Sequence, residues 1–186
     1  MKKLAVLLFF LVNIFVLKAQ DLAIKQLEDS PRHHEWVKVE NADRDIKCFV
    51  AFPEISEKAT VVIVIHENRG LTDWVRSFSD RLAAKGYIAV APDLLSEFND
   101  QYTSTADFPN SDAARNALYE LPPDQVKYDL MAVQDYADQM PAGNGKTVVA
   151  GFCWGGSQSF RMATYNNDIE AALVFYGSAP EKEKIK

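Results

Sequence analysis

Cysteine and histidine are both scarce in this chain of 186 residues, with two of the first and three of the second. Two cysteines cannot build a disulfide framework. His33, His34 and His66 are the only histidines. No third ligand lies near the His33-His34 pair in sequence, so the pair reads as solvated rather than metal-binding, and neither a metal nor another cofactor is expected. Charge of one sign is never massed: 20 basic and 26 acidic residues leave a net −6, spread along the chain. That balance argues against nucleic acid or an anionic membrane surface as partner. Repeats and low-complexity tracts are absent too.

Long apolar runs are limited to one, Leu4 to Leu17, interrupted only by Asn13. At roughly 14 residues it falls short of the ~20 that a membrane-spanning helix needs. Met1-Lys2-Lys3 gives it a basic start and Ala19 a small residue before a cleavage point, so residues 1–19 read as a secretory signal peptide. No cysteine follows to carry a lipid. The mature chain is expected to begin at Gln20 or Asp21 and to be exported, without membrane association after cleavage. In a Gram-negative source that means the periplasm, and otherwise secretion.

What remains is ordinary globular material, 48% hydrophobic and 25% charged, of a length that suits one domain. Residues 20–34 are polar and read as an N-terminal arm or short helix; the domain proper occupies 35–186. Glu35 to Asn41 and Ile46 to Phe52 alternate in polarity and predict an antiparallel hairpin at a sheet edge. Cys48, inside the second run, reads as a small core residue. Thr60 to Ile65 is apolar and β-branched throughout, the pattern of a strand covered on both faces. A helix follows from Thr72, with Trp74, Val75, Phe78 and Leu82 on one face and Gly86 as its stop. Ile88 to Ala91 is a second buried strand. Residues 96–112 read as a surface excursion able to cap a pocket, with a short helix over Ala113 to Leu121. Pro122-Pro123 opens a firmer helix carrying Val126, Leu130, Val133, Ala137 and Met140 inward. A strand ending at Cys153, a helix over roughly 156–165 and a last strand, Ala171 to Tyr176, complete the series. Alternation of strand and helix predicts a mostly parallel sheet with helices on both faces, and ligands then bind beyond the carboxyl ends of the strands.

Val148 to Gly156, V-V-A-G-F-C-W-G-G, carries the chemistry. A G-x-C-x-G spacing between a buried strand and a helix is the pattern of a nucleophile elbow, with cysteine where serine is more usual. Glycines on both sides allow backbone and helix to approach the apex closely. A thiol held at a helix N-terminus meets unpaired N–H groups and the positive end of the dipole, both of which favour the thiolate.

Three stretches in order, V-I-V-I-H-E-N-R-G-L (62–71), G-Y-I-A-V-A-P-D-L (86–94) and G-F-C-W-G-G (151–156), closely resemble the dienelactone hydrolases, in particular an exported branch carrying H-E-N-R-G. The resemblance runs from about residue 35 onward. It implies an α/β-hydrolase fold: a mostly parallel sheet with an N-terminal antiparallel hairpin, here lacking the last strands and helices. It also implies a small-molecule ester or lactone as substrate, Cys153 as nucleophile, and Glu67 as a loop carboxylate that tunes the thiol's protonation. Backbone N–H groups of Trp154 and Asn68 would form the oxyanion hole, which agrees with the general need for one donor just after the nucleophile and one from the loop after the third strand. Arg69 and Arg76 could meet an anionic substrate. His66 is a further candidate for substrate contact, although a strand-end residue bonding locally fits it better than a base does.

The same resemblance calls for an aspartate and a histidine on later loops to complete a Cys–His–Asp triad. After Cys153 there is no histidine, and the only aspartate is Asp168. The chain therefore reads as the amino-terminal two-thirds of such a hydrolase, weak or inactive as written. Two other readings follow. One is a non-catalytic remnant acting as a binding or assembly module, self-associating through an exposed last strand. The other is a redox-reactive thiol at Cys153.

Overall fold

The computed structural model describes residues 21–42 and 44–182. The signal-peptide reading falls on residues 1–19, outside that set. Among the described residues no helix is long and apolar enough to cross a membrane.

Six strands form one sheet: β1 (His34–Asn41), β2 (Arg44–Ala51), β3 (Ala59–Ile65), β4 (Ile88–Pro92), β5 (Gly143–Phe152) and β6 (Ala171–Phe175). Their spatial order is β1-β2-β4-β3-β5-β6. β1 and β2 are the expected antiparallel hairpin, closing at Asn41 opposite Arg44. β2 joins β4 antiparallel, and β4, β3, β5 and β6 run parallel. Among the described residues five α-helices accompany them: α1 (residues 21–28), α2 (Asp73–Ala83), α3 (Ser111–Glu120), α4 (Pro123–Asp138) and α5 (Trp154–Tyr165).

The side-chain alternation of β3 explains its unbroken apolar sequence. Val61, Ile63 and Ile65 face one core with Leu118, Leu130, Val133 and Met162 from α3, α4 and α5. Val62 and Val64 face the other, with Val75, Trp74, Phe78 and Leu82 of α2. A strand between two helical layers has no solvent face, so both alternating sets must be apolar. Each branched side chain buried as fully as Ile63 contributes about 1.5–3 kcal/mol. Aromatic edges tighten the α2 side, where Trp74 and Phe78 both meet the Phe152 ring in T-shaped contacts at 5.0 and 4.9 Å.

Two polar clusters depart from the sequence reading. The N-terminal segment, expected as an arm or short helix, forms the helix α1, and its side chains converge on Asp80, which is fully buried in α2. Arg32 grips that carboxylate with two bonds of 2.7 Å, and Ser30 and Gln26 also donate to it. His34 Nε2 lies 2.8 Å from Asp80 Oδ1. The solvated-pair reading therefore holds for exposed His33 and fails for His34. The second cluster organises the excursion after β4. Asp93 accepts from Thr105 N and Oγ1 at 2.7 and 2.6 Å, and Thr105 Oγ1 accepts from Leu71 N at 3.0 Å.

Candidate active site

Cys153 stands where β5 gives way to α5. Its φ of 54° and ψ of −115° break the strand sharply and place it as the N-cap of the helix. A positive φ is strained for a residue with a Cβ, and such strain collects at functional turns. Surrounding contacts hold it there: Cys153 N–H donates to the Phe175 carbonyl at 3.0 Å, and its own carbonyl accepts from Ser157 N–H at 3.1 Å. The thiol is half-buried.

The loop after β3 lies at the same end of the sheet. Gly155, in the first turn of α5, sits so close to it that a Cβ there would run into the carbonyl oxygens of Ile65 and His66. The His66 ring stacks on Trp154 with centroids 5.8 Å apart and planes 10° from parallel. The two loops singled out from sequence are thus brought together, for the reason anticipated: β3 and β5 are parallel neighbours, so their carboxyl ends coincide.

Individual residues separate more finely. His66 is fully buried. Its Nδ1 lies 2.7 Å from the Glu67 carbonyl oxygen and its Nε2 accepts from Leu94 N–H at 3.2 Å. That pairing puts the ring proton on Nδ1, and burial holds the imidazole below its ordinary titration range. Both nitrogens are committed to backbone, so His66 ties the loop to the start of the segment after β4. Glu67 is half-buried and its Oε1 accepts from Tyr176 Oη at 2.8 Å. Asn68 follows in the turn. Trp154, as the first helical residue, has no carbonyl available to its N–H within the helix. Arg69 is exposed and faces a different groove, with Leu71, Thr72, Thr105 and Phe108. Arg76 pairs with Asp73 and lies over Trp36, 5.8 Å from its ring centroid.

Cys153 opens onto a cavity of about 420 Å³. Leu118, Leu121 and Val126 form an apolar wall from α3 and α4, while Ser157, Gln158 and Arg161 of α5 line the polar side. The excursion over 96–112, expected to cap a pocket, lines no part of this cavity; the helix that follows it, α3, contributes Leu118 and Tyr119. Arg161, not Arg69 or Arg76, is the arginine at this cavity. Sequence reasoning missed Arg161 and Tyr176. Arg161 was recoverable in principle, because it lies two turns along the helix that starts at the elbow. Tyr176 gave no local signal: its side chain reaches the site only because the backbone turns to φ +41° at the end of β6.

Comparison with known proteins identifies the family and the fold. A carboxymethylenebutenolidase of Pseudomonas putida is 31% identical over 132 residues, covering 69% of this chain and 54% of that protein. A Salmonella typhi protein that carries the provisional name carboxymethylenebutenolidase is 33% identical over 134 residues, 72% of this chain and 48% of its own length. The chain thus spans about half the length of the curated relatives it matches. A crystal structure provisionally named as a dienelactone hydrolase from Klebsiella pneumoniae superposes with a TM-score of 0.69 at 24% identity, over 83% of this chain and 65% of that one, and bears on the fold alone. The dienelactone hydrolase family profile matches residues 46–186. With a mostly parallel α/β sheet, an elbow at its centre and a match over most of the sequence, the chain belongs to the dienelactone hydrolase family.

Proposed function

We propose that the chain carries the nucleophile half of an exported ester or lactone hydrolase that works through a thioester. The observation that supports this most is the strained Cys153 turn, which sets a half-buried thiol on a cavity wall at the start of α5. In this reading the Cys153 thiol loses its proton to solvent and the thiolate attacks the substrate carbonyl carbon. A C–S bond forms and the carbonyl oxygen takes the negative charge. N–H groups of Trp154 and Asn68 donate to that oxygen; losing one such donor typically costs about 10²–10³ in rate. Collapse breaks the C–O bond, and the departing alkoxide takes a proton from water. A second water then hydrolyses the thioester, returning the thiol and releasing the acid. Glu67 adjusts the protonation of the thiol from the neighbouring loop.

The cavity favours a small substrate with an apolar portion against Leu118, Leu121 and Val126. None of the three histidines is free to act as base at this cavity: His66 is committed to backbone, and His33 and His34 belong to the N-terminal segment. Turnover by the chain alone should accordingly be slow, limited by generation of thiolate and by thioester hydrolysis. The test is hydrolysis of p-nitrophenyl acetate and of a simple aryl lactone by the parent chain and by Cys153→Ala. The reading expects activity above background in the parent and none in the variant; equal rates would remove Cys153 from the reaction.

A further inference from the structure

A second groove, of about 520 Å³, lies beside the β1–β2 hairpin and the start of α2. That size falls within the ~300–1,000 Å³ usual for small-molecule sites. No residue is shared with the Cys153 cavity. The two sit on opposite sides of the sheet, since Leu118, Leu121 and Val126 belong to the core under α3, α4 and α5, and Leu71 belongs to the core under α2. Strand pairing shapes the groove. Trp36 lies opposite Phe49 and Lys38 opposite Lys47, so alternation puts all four side chains on one face.

Two features of that face cost stability and do nothing for the core. Trp36 stays 54% exposed, even with Phe49 edge-on to its ring at 5.6 Å and Arg76 over it. A large apolar ring left in water forgoes burial, and like charges directly across an antiparallel pair repel. Costs of this kind collect at functional sites. Most charges around the groove are already matched. Arg76 pairs with Asp73, Lys38 pairs with Asp45 at 3.0 Å, and buried Asp93 accepts from Thr105 and from Leu95 N–H. Lys47 is the exception. Its ammonium donates to the Thr103 hydroxyl at 3.4 Å, and among the described residues no carboxylate pairs with it.

We propose that this groove binds a small planar aromatic carboxylate, with its ring against Trp36 and its carboxylate on Lys47. Each part of that ligand answers one unmet feature of the groove. The indole offers a large flat apolar surface, on which another ring packs with more than its area alone would give. The unmatched ammonium calls for one negative charge, and Lys38 stands directly across the ladder to share it. The pair that Lys38 makes with Asp45 is largely exposed, so it is worth little and exchanges readily. Arg76 stays with Asp73 and backs the indole as a cation against its ring. An aliphatic acid satisfies the lysine and not the indole; an uncharged arene does the reverse. The inference stands on the hairpin alone and holds whether or not Cys153 is a nucleophile.

Titration of the full chain with 2-naphthoate tests this, read from the Trp36 indole N–H resonance, which Trp36→Leu assigns by its loss, and from calorimetry. The parent should bind with a Kd of about 1 mM or tighter, as ordinary ligand efficiency gives for a molecule of this size. The uncharged 2-naphthamide and the saturated decahydro-2-naphthoate should each bind about fivefold more weakly. Lys47→Gln should erase the preference for acid over amide, and Trp36→Leu the preference for the flat ring over the saturated one. A general loss of structure would weaken all three ligands alike. Arg161→Gln, at the Cys153 cavity, should leave the naphthoate Kd unchanged. An unmoved Trp36 resonance, equal binding of acid and amide by the parent, or a full acid preference in Lys47→Gln overturns the proposal. So does binding lost in Arg161→Gln and kept in Lys47→Gln. If the variants do not fold, the three ligands on the parent still decide, because a groove without this chemistry would not rank them.

Discussion

Cys48 and Cys153 are chemically the same residue, and the fold treats them in opposite ways. Cys48 sits within β2, fully buried, with Sγ 3.7 Å from the Ile46 carbonyl oxygen. Burial pushes its thiol far above the ordinary range, and the charges of Asp93 and Asp129 add to that. Cys153 ends β5, is half-buried, caps a helix and borders a cavity. The difference lies in backbone and position, not in side-chain type. A mid-strand cysteine in a two-layer core behaves as a small hydrophobe. Moved to a strained turn at the carboxyl end of a central strand, the same thiol meets solvent, a helix terminus and room for a ligand.

The comparison can be broken most directly at Cys153 itself. Cys153→Ala should bring any ester hydrolysis down to background, while Cys48→Ala leaves it unchanged; loss of activity in the Cys48 variant instead would reverse the assignment. Next in size is the contrast in reactivity. Native alkylation by iodoacetamide should modify Cys153 at least ~10² times faster than Cys48, with the two rates converging in denaturant. Comparable native rates would show that the fold does not separate the thiols as described.

Cys48 should then become a reporter of unfolding, and Asp80 provides the means. Burial alone would push the Asp80 carboxyl up, but hydrogen bonds from Arg32, Ser30, His34 and Gln26 outweigh it and hold the group below the usual carboxylate range. A depressed value adds stability that is fully present above the unfolded-state pKa of about 4 and is lost as pH falls through the folded one. Asp80→Asn should therefore destabilise the chain by about 2–3 kcal/mol near neutrality, with the gap to the parent narrowing on acidification. Alkylation of Cys48 should rise in step with that loss, and alkylation of Cys153 in the native state should not. Denaturant melts at pH 7 and at acid pH check the first part, and peptide-level labelling the second. The smallest effect is expected from Cys48→Ala, about 1–2 kcal/mol for a small cavity in the β2 core, measured by the same melts.

How much of this was visible in sequence depends on the range of the interaction. The β3 strand, the β1–β2 hairpin and the elbow were legible because each is set by residues within a few positions of one another. An unbroken β-branched run means two covered faces, alternation means one, and paired glycines around a cysteine mean a tight strand-to-helix turn. Convergence of the two site loops followed from parallel topology. The Asp80 clamp was not legible, since Arg32 and His34 find their partner 48 and 46 residues away, and nothing in their neighbourhood distinguishes them from solvated polar residues. Tyr176 was read as the end of a strand, and only the backbone turn after β6 shows that its hydroxyl serves the other loop. Local bonding was the reading that the strand-end position of His66 favoured, and both of its ring nitrogens do bond to backbone; that Arg69 faces a different groove had no signal in its neighbourhood. The last strand was expected to present an apolar edge. β6 does expose Leu173, Val174 and Phe175 at the end of the sheet formed by the described residues.

The claim beneath all of this is that the sulfur of Cys153 attacks an acyl carbon. Mixing the chain with excess p-nitrophenyl acetate, quenching in acid within seconds and digesting for peptide mass reads that step directly. The account predicts a single acetyl group on the peptide containing Cys153, removed by hydroxylamine as a thioester should be and absent after Cys153→Ala. An unmodified Cys153 peptide alongside released nitrophenol, or acetyl groups confined to lysines, would contradict it.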